Sequence, residues 1–140
     1  MIRLTRRYRF AASHRLHSAK LSEQDNAALY GKCNNPYGHG HDYVLEVSAL
    51  GPLNKETGQV VNPATLDALV TQYVLSDIAN RNLNEEVAEF ASAIPTSENL
   101  TLVIEERLKR AWKSAFPGEW PRLDRIRLQE TRKNTFEWNA

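Results

Sequence analysis

From Cys33 the chain reads Cys33-Asn34-Asn35-Pro36-Tyr37-Gly38-His39-Gly40-His41-Asp42-Tyr43, which puts a His-x-His pair within eight residues of its one cysteine. On extended backbone, residues two apart share a face, so both imidazoles can meet one metal ion. Gly38 and Gly40 leave the backbone open to close approach. Two histidines hold a metal weakly, and the third ligand must come from elsewhere. One cysteine makes no intrachain disulfide, so Cys33 is either a small buried hydrophobe or a reactive thiol.

The elements that must position these groups follow from periodicity. Ile2, Leu4, Tyr8 and Phe10 alternate with Arg3, Thr5, Arg7 and Arg9, which predicts a strand with one buried face. Residues 41–50 alternate similarly through Tyr43, Leu45, Val47 and Ala49, and the two strands should pair. Residues 13–40 then form a long excursion carrying the metal candidates, and long connections are commonly functional. Pairing brings His14, in Phe10-Ala11-Ala12-Ser13-His14-Arg15-Leu16, beside His39 and His41. Three neutral imidazoles with an open fourth position make a catalytic zinc site, which polarises a carbonyl or hydroxyl or acidifies bound water. Nitrogen ligation favours zinc over calcium or magnesium and leaves nickel, copper and iron open.

After Asn62-Pro63 the period changes. Leu66, Leu69, Val70 and Tyr73 predict a helix over 64–75, with Pro63 suited to its first turn. A second helix starts at Thr96-Ser97 and carries the stripe Leu100, Val103, Ile104, Leu108, Ala111, Trp112 and Ala115 to its stop at Pro117-Gly118. Strands follow over 123–130 and 134–138. The order β-β-α-α-β-β predicts an α+β fold, a four-stranded antiparallel sheet with both helices on one face. Arg6, Arg7 and Arg9 are expected on a solvated strand face.

With 140 residues and 41% hydrophobic content the chain suits one domain, residues 1–140. Lys plus Arg (18) nearly balance Asp plus Glu (17), which argues against nucleic acid or an anionic membrane as partner and for a small molecule. No apolar run approaches bilayer length, and Met1–Phe10 lacks the apolar core of a leader. A soluble cytoplasmic protein is the expectation.

Four segments, in order, resemble the 6-pyruvoyltetrahydropterin synthases and the related 6-carboxytetrahydropterin synthases of queuosine biosynthesis. They are Phe10–Leu16, Tyr30–Tyr43, Pro95–Asn99, and Glu130-Thr131 followed by Asn134. The Cys-Asn-Asn-Pro-Tyr-Gly-His-Gly-His run is closer to the pyruvoyl branch, that of tetrahydrobiopterin biosynthesis. The resemblance implies a tunnelling fold (T-fold) whose subunits form a barrel, usually a homohexamer made of two trimers. It implies Zn2+ on His14, His39 and His41, with 7,8-dihydroneopterin triphosphate or a related dihydropterin as substrate. It makes Cys33 the general base and Glu130, with Thr131, the anchor of the pterin ring. A carboxylate suits that guanidine-like edge because it accepts two parallel hydrogen bonds. For a triphosphate, Lys20, Lys32 and Arg15 are the nearby cations in sequence.

The chain departs from this family at one place. The family's Leu-Asp-His-Lys-Asn-Leu falls on Ile78-Ala79-Asn80-Arg81-Asn82-Leu83, so its proton-transferring Asp-His pair is replaced by Ala79 and Asn80. An alanine and a carboxamide shuttle no proton at neutral pH. Asp77 and His17 are the remaining groups of suitable chemistry. The departure predicts turnover that is slowed, redirected toward 6-carboxytetrahydropterin formation or simpler side-chain cleavage, or lost in a protein that still binds zinc and pterin.

Overall fold

Alternating side chains carry the first strand, β1 (Ile2–His14), past the apolar run and through His14 itself. The computed structural model describes residues 1–140 and pairs β1 antiparallel with β2 (His39–Gly51), in unbroken register from Ile2↔Gly51 to His14↔His39. Between them lies α1 (Glu23–Tyr30), and after them come α2 (Pro63–Val70), α3 (Ser76–Ile78), β3 (Arg81–Asn82), α4 (Leu83–Glu86), α5 (Ser97–Ala115), β4 (Arg122–Gln129) and β5 (Thr135–Asn139). The sheet order is β3-β1-β2-β4-β5.

One face of the sheet is the core. Leu45, Val47, Ile126 and Leu128 from the strands and Leu66, Val70, Leu100, Ile104 and Leu108 from α2 and α5 are all fully buried in one cluster. Burying such a side chain contributes roughly 1.5–3 kcal/mol, which is what fixes the helices against the sheet. Caps set the helix starts. Asn62 Oδ1 accepts from Ala64 N–H at 3.0 Å ahead of Pro63, and Thr96 Oγ1 accepts from Asn99 N–H at 3.1 Å. The other face is polar. There Glu46 accepts from Arg7 at 2.9 Å and from Arg127 at 3.3 Å, and Arg3 pairs with Asp124.

Several sequence expectations change. The histidines stand at strand ends and not on an irregular excursion, because the β1–β2 ladder runs to its last possible pair. The intervening segment contains α1, started by Ser22, whose Oγ accepts from Asp25 N–H at 3.0 Å. The four expected strands are present, and a fifth, the two-residue β3, pairs parallel to β1, so the sheet is not wholly antiparallel. The helix expected over 64–75 is α-helical only to Val70; a wider π turn covers Thr71–Leu75 before α3 extends it to Ile78. Arg6 shares the parity of Tyr8 and faces the helix side, where its guanidinium meets Asp67 of α2 at 2.7 and 3.0 Å.

Candidate metal centre

The β1–β2 register builds the site. His14 lies opposite His39, and His41 lies opposite Ala12, whose small buried side chain leaves the imidazole room to lean toward His14. The two rings meet edge to face with centroids 4.9 Å apart. Gly38 permits the approach: its φ is +81°, and a Cβ there would stand 3.0 Å from the His14 carbonyl oxygen. Glu130, just past β4, extends across the same end of the sheet, and Cys33 comes from the turn that follows α1.

The four ligand atoms of His14, Cys33, His41 and Glu130 all lie within 4.8 Å of one another. His14 is fully buried, and its Nδ1–H donates to Pro95 O at 2.8 Å. A carbonyl only accepts, so the proton is on Nδ1 and the Nε2 lone pair faces the cluster. His41 Nε2 stands 3.2 Å from His14 Nε2 and 3.0 Å from Glu130 Oε1, which is itself 3.9 Å from His14 Nε2. One proton on His41 Nε2 can be shared by these neighbours, but a divalent cation would take lone pairs from all of them and from Cys33 Sγ. Two nitrogens on a tetrahedral zinc at about 2.0–2.1 Å are about 3.3–3.4 Å apart, close to the separation found here. The donor set and its spacing therefore fit a metal ion.

Electrostatics point the same way. Burial holds the His14 and His41 imidazoles below their ordinary range despite Glu130, so both are neutral near pH 7, the form a metal ion requires. Burial first, and the Glu130 carboxylate second, push the Cys33 thiol up. Without a cation beside it, Cys33 is a protonated thiol.

The expected residues fall out as follows. His14, His41 and Cys33 converge. His39 packs edge-on against His41, centroids 4.5 Å apart, with its nitrogens outside the four-atom group. Glu130 joins the histidines more closely than the sequence indicated. Thr131 is exposed in the β4–β5 turn, where its hydroxyl accepts from Lys133 N–H at 3.2 Å. Of the two stand-ins for the Asp-His pair, Asp77 is engaged elsewhere and His17 lies against the residue next to Cys33. Asp77 accepts from Arg107 of α5 at 2.5 Å on the helix layer, and His17 Nδ1 lies 3.2 Å from Asn34 Nδ2. Asn80 has φ of +62°, a region where asparagine is favoured among non-glycine residues, and its N–H donates to Ala11 O at 2.6 Å. Sequence reasoning missed the Pro95 carbonyl, since no side chain marks an orienting backbone oxygen. It also missed Tyr43 Oη and Ser97 Oγ, both buried near this end without a hydrogen-bond partner.

Known proteins match this chain in sequence and in fold. The chain is 40% identical over 131 residues to the 6-pyruvoyl tetrahydrobiopterin synthase of Poecilia reticulata, covering 94% of this chain and 85% of that protein. It is 39% identical over 107 residues to the human protein of the same name, covering 76% and 74% of the two. The solved 6-pyruvoyl tetrahydropterin synthase of Caenorhabditis elegans superposes with a TM-score of 0.87 at 36% identity, covering 99% of this chain and 95% of that one. The profile of the family described as 6-pyruvoyl tetrahydropterin synthase spans residues 3–140, and the chain belongs to that family.

Proposed function

We propose that the chain is a zinc-dependent lyase of the 6-pyruvoyltetrahydropterin synthase type, working in the cytoplasm on 7,8-dihydroneopterin triphosphate or a related dihydropterin. Residues 1–140 would act as one pterin-synthase-like domain. The observation that carries this reading is the convergence of His14, Cys33, His41 and Glu130 in a chain of this family. His14, His39 and His41 would hold the ion, His39 by turning from its packing against His41. When bound, the zinc would acidify the hydroxyls of the substrate's C6 side chain and favour the thiolate of Cys33. Cys33 would take a proton from that side chain as general base. Glu130 would accept the N–H and amino hydrogens of the pterin edge, with the Thr131 hydroxyl beside it. Loss of triphosphate and internal redox transfer would complete the conversion. Lys20 and Lys32 are exposed and available to a triphosphate, whereas Arg15 Nε–H already donates to Asn34 O at 3.2 Å.

The outer edge of β1 is paired only at Ala12 and Ser13, and β5 ends the sheet on the other side. Free edges of this length call for pairing or covering, which the homohexamer implied by the family resemblance, a dimer of trimers, would supply. No helix is long and apolar enough to cross a membrane.

Ala79 and Asn80 favour a second reading, a zinc-containing pterin-binding homologue with weak or no turnover, or one of the 6-carboxytetrahydropterin type in queuosine biosynthesis. Zinc-loaded protein incubated with dihydroneopterin triphosphate separates the two. Formation of 6-pyruvoyltetrahydropterin that disappears in a Cys33→Ala variant supports the lyase; tight pterin binding without conversion, or a 6-carboxytetrahydropterin product, removes it in favour of the second reading.

A further inference from the structure

Between α3 and α4 the chain runs beside β1 for the residues that lead to His14 and past it. Asn80 N–H donates to Ala11 O, and Arg81 and Asn82 pair in parallel with Ala12 and Ser13. Asn84 then closes on Arg15 from two sides. Arg15 N–H donates to Asn84 Oδ1 at 2.7 Å, and Asn84 Nδ2–H donates to Arg15 O at 2.9 Å. A carboxamide is the neutral side chain that offers a donor and an acceptor on one plane, so it satisfies both backbone groups of one residue as a neighbouring strand would. An aspartate lacks the donor, and an aliphatic side chain lacks both.

The Cys33 turn grips the same stretch from the opposite direction. Leu16 N–H donates to Cys33 O at 2.7 Å, and Asn34 Nδ2–H donates to Leu16 O at 2.7 Å. His14 therefore stands between a residue pinned by β3 and a residue pinned by Asn84, with Cys33 tied in two positions further on. A strand end would ordinarily fray at its last residue; this one is held at the residue whose Nε2 faces the cluster. Residues 79 and 80 carry no acid or base; Leu83 anchors the segment in the core, and the segment's hydrogen bonds to β1 and to Arg15 fall on the backbone around His14.

We propose that residues 80–84 are a strap that positions His14 for metal binding, with Asn84 as the positioning residue that sets metal affinity. This rests on the metal reading above. Groups that orient metal ligands typically alter affinity 10–100-fold when removed, and that range is the expected loss for Asn84→Ala. The test measures zinc affinity by competition with a chromogenic chelator, alongside the visible spectrum of the cobalt(II)-loaded protein.

Asn84→Ala should bind zinc at least tenfold more weakly than wild type and show an altered cobalt spectrum. Asn84→Asp, which keeps the acceptor for Arg15 N–H, should fall between the two. Asn62→Ala, which removes the cap of α2, should melt at a lower temperature with zinc affinity unchanged. An Asn84→Ala protein that melts lower yet matches wild type in zinc affinity and cobalt spectrum overturns the strap. If that variant does not fold, Asn84→Asp decides, and wild-type affinity there overturns the proposal equally. A wild-type protein that takes up no zinc overturns the metal reading instead, which keeps the two failures apart.

Discussion

His14 is committed to one tautomer by Pro95 O, its Nε2 stands 3.2 Å from His41 Nε2, and Gly38 passes close to its carbonyl. A methyl group at position 38 would press on the His14 carbonyl and strain a backbone with φ of +81°. Gly38→Ala should therefore weaken zinc binding about tenfold or more, read by chelator competition, while leaving the helix content of the circular dichroism spectrum unchanged. Asn80 itself has a left-handed backbone. Histidine also tolerates that region, so the backbone would accept one there. An Ala79→Asp/Asn80→His double variant should raise turnover of dihydroneopterin triphosphate about 100-fold or more, general acid-base groups typically contributing roughly 10²–10⁴-fold. Turnover equal to wild type would mean that the pair has no part in this chain's chemistry.

The strands were legible because alternation fixed which face each residue takes, and pairing the two alternating strands brought His14 beside His39 and His41. The helix α5 was legible for the same reason: its apolar stripe from Leu100 to Ala115 names the buried face. Less regular elements left weaker marks. α1 has no apolar stripe and is held instead by Ser22 and by the buried Asn26, whose amide donates to Ser18 O at 2.9 Å. β3 is two residues long, too short for any period to show. Long-range side-chain ties were not legible either. Arg107 of α5 joins Glu89 at 2.6 and 2.7 Å and Asp77 at 2.5 Å, and these partners lie 18 and 30 residues away. The Arg107 side chain is only 11% exposed, so Arg107→Leu leaves Glu89 without its partner. Asp77 is more open to water, and the expected loss is about 2–3 kcal/mol of unfolding free energy by denaturant titration.

For the whole molecule, the buried imidazoles shape the response to acid. His14 and His41 are held below the ordinary histidine value of about 6.5, so the unfolded chain takes up protons that the folded chain refuses. Stability of the metal-free protein should fall as pH drops below about 6.5 and stop falling from this cause once the folded values are passed. Asp67 and Glu89 act in a lower window. Arg6 and Arg107 hold these carboxyls below their usual range, and the stability they contribute is lost as pH falls from about 4 through the folded values. Thermal melts from pH 8 to pH 3 should thus show two separate declines, and a His14→Gln/His41→Gln variant should lack the upper one. The unpaired edges on both sides of the sheet call for covering, and if the proposed homohexamer supplies it, mass photometry should read about six times the mass of one 16.0 kDa chain.

The proposed role of Cys33 and the proposed strap at Asn84 both depend on metal binding at the cluster of His14, Cys33, His41 and Glu130. Metal content of the purified protein by inductively coupled plasma mass spectrometry, set beside that of His14→Ala and His41→Ala variants, tests it most directly. One zinc per chain in wild type and almost none in either variant is the predicted result. No stoichiometric metal in wild type, or equal metal in all three proteins, would contradict it.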